Sequence, residues 1–137
     1  MFRMMCKGKI HRAAVTESNL DYVGSITIDE VLLKAANIMP YEMVQVTNLR
    51  NAVRWQTYAL PGAAHSGKIC LNGPPAHLFQ RGDLVIILSL GWFTEQELQK
   101  LVPSVVFVDD GNQITHTADH RLLNDQGEVN WHDLQPQ

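Results

Sequence analysis

Turn-forming residues interrupt this chain at short, regular intervals. Clusters such as Asp21-Tyr22-Val23-Gly24-Ser25, Asn48-Leu49-Arg50-Asn51, Pro61-Gly62 and Asn72-Gly73-Pro74-Pro75 separate short apolar runs. Most of those runs alternate apolar with polar residues, the period-two pattern of a strand with one buried face. Only two stretches have the spacing and capping residues of a helix. The pattern predicts a mainly β protein, a small barrel with one or two short helices.

The individual elements can be placed. Phe2 to Val15 reads as an extended segment in which Lys7, Lys9 and His11 share one face. Asp29 is positioned to cap a short helix with Val31, Leu32, Ala35 and Ala36 buried; Asn37 lies near its end and Pro40 stops it. Met43–Asn48 and Ala52–Leu60 read as a hairpin, broken by Pro61-Gly62. On the return strand Arg54, Gln56 and Tyr58 share one face; Val53, Trp55, Thr57 and Ala59 share the other. Lys68–Leu71 is a further short strand, and Ala76–Gln80 makes one helical turn closed by Gly82. Asp83–Leu90 is nearly continuous in apolar residues and is predicted to be the most buried strand. Thr94-Glu95-Gln96-Glu97 fits a capping box, and Ser104–Val108 is the last strand. From Asp109 onward no period remains, and the reading is a loosely ordered tail.

The composition excludes several classes of function. Among 137 residues, 45 % are hydrophobic and 18 % charged, the profile of an ordinary globular domain. The longest apolar run, Leu84–Leu90, is too short to span a bilayer, and residues 1–12 lack a signal-peptide pattern, so a cytoplasmic location is expected. Cys6 and Cys70 form neither a disulfide framework nor a zinc pattern, and both are expected reduced and buried. Residues 1–108 carry ten basic against eight acidic side chains, and residues 109–137 one against six. A mildly basic body suits a small anionic substrate and lacks the footprint of a nucleic-acid binder. His116, Asp119 and His120 place two imidazoles at i and i+4, but no apolar face supports a helix there, and no metal is expected.

The dipeptide with chemical potential is Gly24-Ser25. It lies between Tyr22-Val23 and the alternating run Ile26-Thr27-Ile28, so its backbone can be held at a strain of about 1–3 kcal/mol. A serine hydroxyl folded back onto the Gly24 carbonyl can attack it. The amide becomes an ester, and elimination then cuts the chain and leaves a pyruvoyl group at residue 25. Arg54 offers a planar fork for a carboxylate, and Tyr58, on the same strand face, offers a proton. Thr57, on the opposite face, suits support of the Gly24 carbonyl during cleavage. Asn72 and Gly73 can offer amides to an oxyanion, and His11 can tune charge nearby.

Taken in order, Lys9 with His11, Tyr22-Val23-Gly24-Ser25, Arg54 with Thr57-Tyr58, Asn72-Gly73, and His77 with Gly82-Asp83 closely resemble the bacterial pyruvoyl-dependent aspartate 1-decarboxylases. The resemblance runs from Met1 to about residue 108. It implies a double-psi β-barrel domain over 1–110, self-cleaved between Gly24 and Ser25 into fragments of 24 and 113 residues, with a tail of unassigned function over 111–137. It implies a homotetramer with active sites between subunits, and conversion of L-aspartate to β-alanine and carbon dioxide for pantothenate and coenzyme A synthesis. The substrate forms a Schiff base with the pyruvoyl group made from Ser25, with neither a metal nor pyridoxal phosphate.

By the same resemblance Lys9 and Arg54 hold the substrate carboxylates, Tyr58 quenches the carbanion, Thr57 and the Gly73-Pro74-Pro75 loop contact substrate, and Tyr22, His11 and Asn72 support the site. The chain departs from the family at Pro74-Pro75, where small residues with free amides are usual; a proline has no N–H to give, so only Gly73 and Ala76 retain one. Cleavage is spontaneous or assisted by a maturation helper protein. Two other functions compete: a pyruvoyl-dependent decarboxylase of another amino acid, and a non-catalytic binding barrel. Two carboxylate-binding cations favour a diacid substrate.

Overall fold

The computed structural model describes residues 1–134. Nine strands form one sheet: β1 (Phe2–Ala14), β2 (Glu17–Asn19), β3 (Ser25–Asp29), β4 (Met43–Asn48), β5 (Arg54–Gly62), β6 (Ile69–Asn72), β7 (Leu84–Thr94), β8 (Ser104–Val108) and β9 (Ile114–Asp119). Their order is β2-β6-β3-β5-β4-β7-β1-β8-β9. Among the described residues two helices complete the fold, α1 (Glu30–Ala35) and α2 (Glu95–Leu98), with a 3-10 turn at Pro74–His77. The mainly β expectation is met.

Alternation decides which residues fill the interior. Ile10, Ile26, Ile28, Val44, Val46, Ile69, Leu71, Val85 and Ile87 are fully buried, with Leu32 of α1 and Phe79 closing the core. Asp29 caps α1, accepting from Val31 N at 2.8 Å. Its other oxygen takes Gly67 N at 2.8 Å, so one carboxylate fixes both the helix start and the turn before β6. Thr94 makes the expected capping box with Glu97 at α2. A second buried carboxylate, Asp83, receives Arg50 Nε (2.8 Å), Asn48 Nδ2 (2.7 Å) and Gln80 N (2.9 Å), tying the β4–β5 turn to the start of β7. Arg50 first, then these amides, hold the Asp83 carboxyl at about 2.

Several sequence expectations are corrected. Strand β5 runs through Pro61 to Gly62. Its β4 neighbour ends opposite Tyr58, so the missing proline N–H faces no ladder there, while β3 continues to pair on the other side. The single turn falls at Pro74–His77 and not at 76–80, because the two prolines suit the first helical positions. Strand β7 extends to Thr94, pairing with Phe2–Met5 as a ribbon, and it alternates rather than being continuously buried; β6 is the strand buried at every residue. Cys6 is exposed, since the ribbon carries it beyond the core, whereas Cys70 is buried.

The largest difference lies after Asp109. Ile114–Asp119 forms β9 against β8, and Asn112 is buried. Its side chain accepts from Ala14 N (2.8 Å) and donates to Ala14 O and Gly67 O (both 2.8 Å). No apolar period announced this segment because its ordering is done by polar side chains and by a strand with one exposed face. His116 and Asp119 therefore lie on a strand, which removes the helical i, i+4 spacing considered for a metal.

Candidate active site

Strands β3, β5 and β6 meet side by side at the Gly24-Ser25 peptide. Ser25 opens β3 opposite Asn72 of β6, and Ile26 pairs with Ala59 of β5. Continuing the parallel register backward sets Tyr58 beside Ser25 and Thr57 beside Gly24. Residues opposite one another share a face, so Ser25, Thr27, Asn72 and Tyr58 lie on one side, with Arg54 two pairs further along β5. Thr57 lies on the other side and is buried.

Ser25 is itself buried, and its hydroxyl is fixed by two bonds. It donates to Val23 O at 3.1 Å and accepts from Asn72 Nδ2 at 3.0 Å. The first bond turns the oxygen back along the chain, across the Gly24 unit. Asn72 Nδ2 also donates to Thr27 Oγ1 at 3.0 Å, while its oxygen accepts from Cys70 Sγ at 3.0 Å. The amide's orientation is thereby set by its neighbours on β3 and β6.

Gly24 and Gly73 are packed backbone to backbone. Gly73 has φ 80° and ψ −142°, a conformation essentially reserved for glycine. A Cβ on it would lie 2.9 Å from Gly24 Cα and 3.2 Å from Tyr22 O. The loop thus forms a close cradle for residues 22–24. Its amides, however, are committed: Gly73 N donates to Asn19 O (2.8 Å), Ala76 N to Gly73 O (2.9 Å), and Pro74 and Pro75 have none. Within the chain this loop contributes shape, not donors. Pro75 is buried, whereas Pro74 is exposed and Tyr22 faces outward.

Arg54 is exposed, and neither it nor Lys9 has an anionic partner among the described residues. Lys9 shares the outer face, in the row Lys9–Leu88–Gln45–Gln56 across β1, β7, β4 and β5. Three strand spacings, about 14 Å, separate it from β5. One chain therefore brings Ser25, Tyr58, Arg54, Asn72 and the Gly73 loop together but leaves Lys9 and His11 apart. His11 packs edge-on to Phe107 at 5.5 Å, and Phe107 stacks on His116 at 4.4 Å. Burial first, then the Lys9 and Arg12 charges, lower its pKa, so the ring is neutral at pH 7. These three rings line a cleft of about 410 Å³ with Arg12, Asp109 and Asp110.

Residues 1–115 match the family model described as aspartate decarboxylase. The chain belongs to the aspartate decarboxylase family. Relatives named aspartate 1-decarboxylase match most of the chain, and three of them follow. That of Desulfitobacterium hafniense (strain DSM 10664 / DCB-2) is 53 % identical over 126 residues, covering 92 % of this chain and 99 % of its own. That of Carboxydothermus hydrogenoformans is 56 % identical over 122 residues, 89 % and 96 % of the two chains. That of Listeria welshimeri is 54 % identical over 114 residues, 83 % and 90 %. The double-psi β-barrel is the fold of the aspartate decarboxylase family, and the family match extends past Asn112 into β9. Among the described residues no group of three or more His, Cys, Asp or Glu side chains is placed to hold a metal ion, and no helix is long and apolar enough to cross a membrane.

Proposed function

We propose that this member of the aspartate decarboxylase family cuts itself between Gly24 and Ser25 and then converts L-aspartate to β-alanine and carbon dioxide. The observation that carries the reading is the Ser25 hydroxyl, buried and held between Asn72 Nδ2 and Val23 O beside a glycine with no side chain to shield its carbonyl. In the self-cleavage step Ser25 Oγ attacks the Gly24 carbonyl carbon, and the acyl group passes from nitrogen to oxygen. Thr57, beside Gly24 in the continued register, supports the carbonyl oxygen as it gains charge. Elimination across the Ser25 Cα–Cβ bond releases a Gly24 carboxylate, and loss of ammonia to water leaves the new terminus as a ketone.

The residues present suit a small oxygen-bearing group at residue 25: Asn72 Nδ2 reaches the Ser25 oxygen at 3.0 Å, and Gly73, lacking a Cβ, packs closely on residues 22–24 just before it. The pyruvoyl group supplies an electrophilic carbonyl for the substrate amine and a sink for the electrons left by carbon dioxide. Arg54 holds one carboxylate of the substrate by charge-assisted hydrogen bonds. Tyr58, on the Ser25 face, hands its phenolic proton to the carbon that lost carbon dioxide.

Lys9, three strands away in its own chain, serves a neighbouring subunit's site in a homotetramer. Exposed Tyr22, Val23 and Met43 around the cut site suit such an interface. The product suits pantothenate synthesis, and two unpaired thiols suit the cytoplasm. Residues 1–110 supply the catalytic barrel, and processing proceeds spontaneously or with a helper protein.

The test is the intact mass of the purified protein and of Ser25→Ala. The parent is expected as fragments of 24 and 113 residues, the latter beginning with the ketone, and Ser25→Ala as a single inactive chain. An uncleaved, active parent, or cleavage in Ser25→Ala, would remove the mechanism.

A further inference from the structure

Tyr41 holds a position that a tyrosine occupies only under strain. The Met39–Glu42 turn is closed by Glu42 N donating to Met39 O at 3.1 Å, with Pro40 second and Tyr41 third. Proline fixes a negative φ at the second place, and Tyr41 has φ 69° at the third, so the turn is of type II. Glycine or asparagine fills that third place without strain, and a bulky ring does not. Two further bonds clamp the turn onto β5 immediately after Tyr58: Tyr41 N to Ala59 O (2.7 Å) and Ala59 N to Glu42 O (3.0 Å).

This clamp lays the Tyr41 ring over that of Tyr58, centroids 5.4 Å apart and planes 15° from parallel. Tyr41 is 73 % exposed, so core filling does not explain a ring at a strained site. Its aromatic contact is with the side chain assigned the proton transfer. We infer that Tyr41 is a positioning residue: its ring fixes the plane of the Tyr58 phenol so that the hydroxyl stays over the reacting carbon. The inference rests on the reading of Tyr58 as proton donor.

Five variants test it: Tyr41→Asn, Tyr41→Gly, Tyr41→Phe, Tyr58→Phe and the Tyr41→Asn/Tyr58→Phe double variant. Each is assayed for extent of self-cleavage, aspartate KM, kcat and thermal midpoint. Asparagine suits the left-handed turn, so Tyr41→Asn is expected to cleave fully, keep KM and hold or raise the midpoint. Its kcat is expected to fall by roughly 2–10-fold, the worth of an aromatic pair. Tyr41→Phe restores kcat. In the Tyr58→Phe background, already slowed by about 10²-fold or more, Tyr41→Asn adds nothing. A parental kcat in Tyr41→Asn, or the same fall with and without the Tyr58 hydroxyl, overturns the inference and leaves the role of Tyr58 intact. A lowered midpoint with falling kcat in both Tyr41→Asn and Tyr41→Gly overturns it as well, making the ring merely structural. Tyr58→Phe turning over within a few-fold of the parent would instead overturn the proton-donor reading itself.

Discussion

Replacing Gly73 with alanine tests whether the cut site is held by the loop that faces it. The substitution places a Cβ 2.9 Å from Gly24 Cα and 3.0 Å from Gly24 N. Ordinary carbon contacts begin near 3.5 Å, so the two backbones must separate by about 0.5 Å. Alanine must also adopt φ 80°, ψ −142°, at a cost of about 1–3 kcal/mol. Loop 73–77 and the backbone of residues 22–24 share this strain, and the Gly24 carbonyl moves relative to Ser25 Oγ. A misplacement of 1 Å can cost about 10²-fold in rate, so about half that shift predicts cleavage slowed roughly tenfold. The assay follows freshly purified Gly73→Ala by intact mass, reading the fraction cut against time, with urea unfolding to measure the stability loss. Cleavage at the parental rate in a protein destabilised by the expected amount would refute the idea that Gly73 positions the scissile peptide.

Two further outcomes are expected. Arg54→Ala spares self-cleavage and raises the aspartate KM by about 10–100-fold, the loss of a charge-assisted hydrogen bond; an unchanged KM in the cleaved variant would make Arg54 an ordinary surface cation. Asp83 has its folded pKa lowered from 3.8 to about 2, so its contribution is complete above the unfolded value and is lost as pH falls from about 5 toward 2, at most about 2 kcal/mol. Urea unfolding at pH 7 and pH 3, in the single-chain Ser25→Ala background, reads about half of that loss, about 1 kcal/mol, and the further variant Asp83→Asn should remove most of this pH dependence.

The strands were legible where burial is one-sided. Met43–Asn48 alternates and forms with those bounds, the apolar run Ser104–Val108 forms as read, and Asp29 and Thr94 cap the helices their side chains announced. What escaped notice depends on contacts distant in sequence. Pro61 reads locally as a strand breaker, and only the early end of β4 makes it harmless. Asn112 looks like a tail residue until Ala14 and Gly67 are known to lie beside it. At the site, the ordered motifs picked out Ser25, Asn72 and Tyr58, which the fold gathers on one face. The separation of Lys9 by three strands had no signal in one-dimensional spacing. Tyr41 had a local one that was missed: a proline followed by a residue poorly suited to the third place of a type II turn.

The place of β1 has a consequence for the order of events in the life of the molecule. It is the first strand of the chain, yet it lies between β7 and β8, two of the last three to be synthesised. The proposed cut falls after β2, so it would sever this inner strand from the strands on both sides of it. Before the cut, folding is a first-order process. Afterwards residues 1–24 and 25–137 are separate molecules, and reassembly from the unfolded state becomes second order, dependent on concentration. A peptide bond that broke before β1 was zippered between its neighbours would release a fragment with no means of return except collision. If the proposed cut depends on a cradle that exists only in the folded barrel, it would be deferred until the inner strand no longer needs its tether.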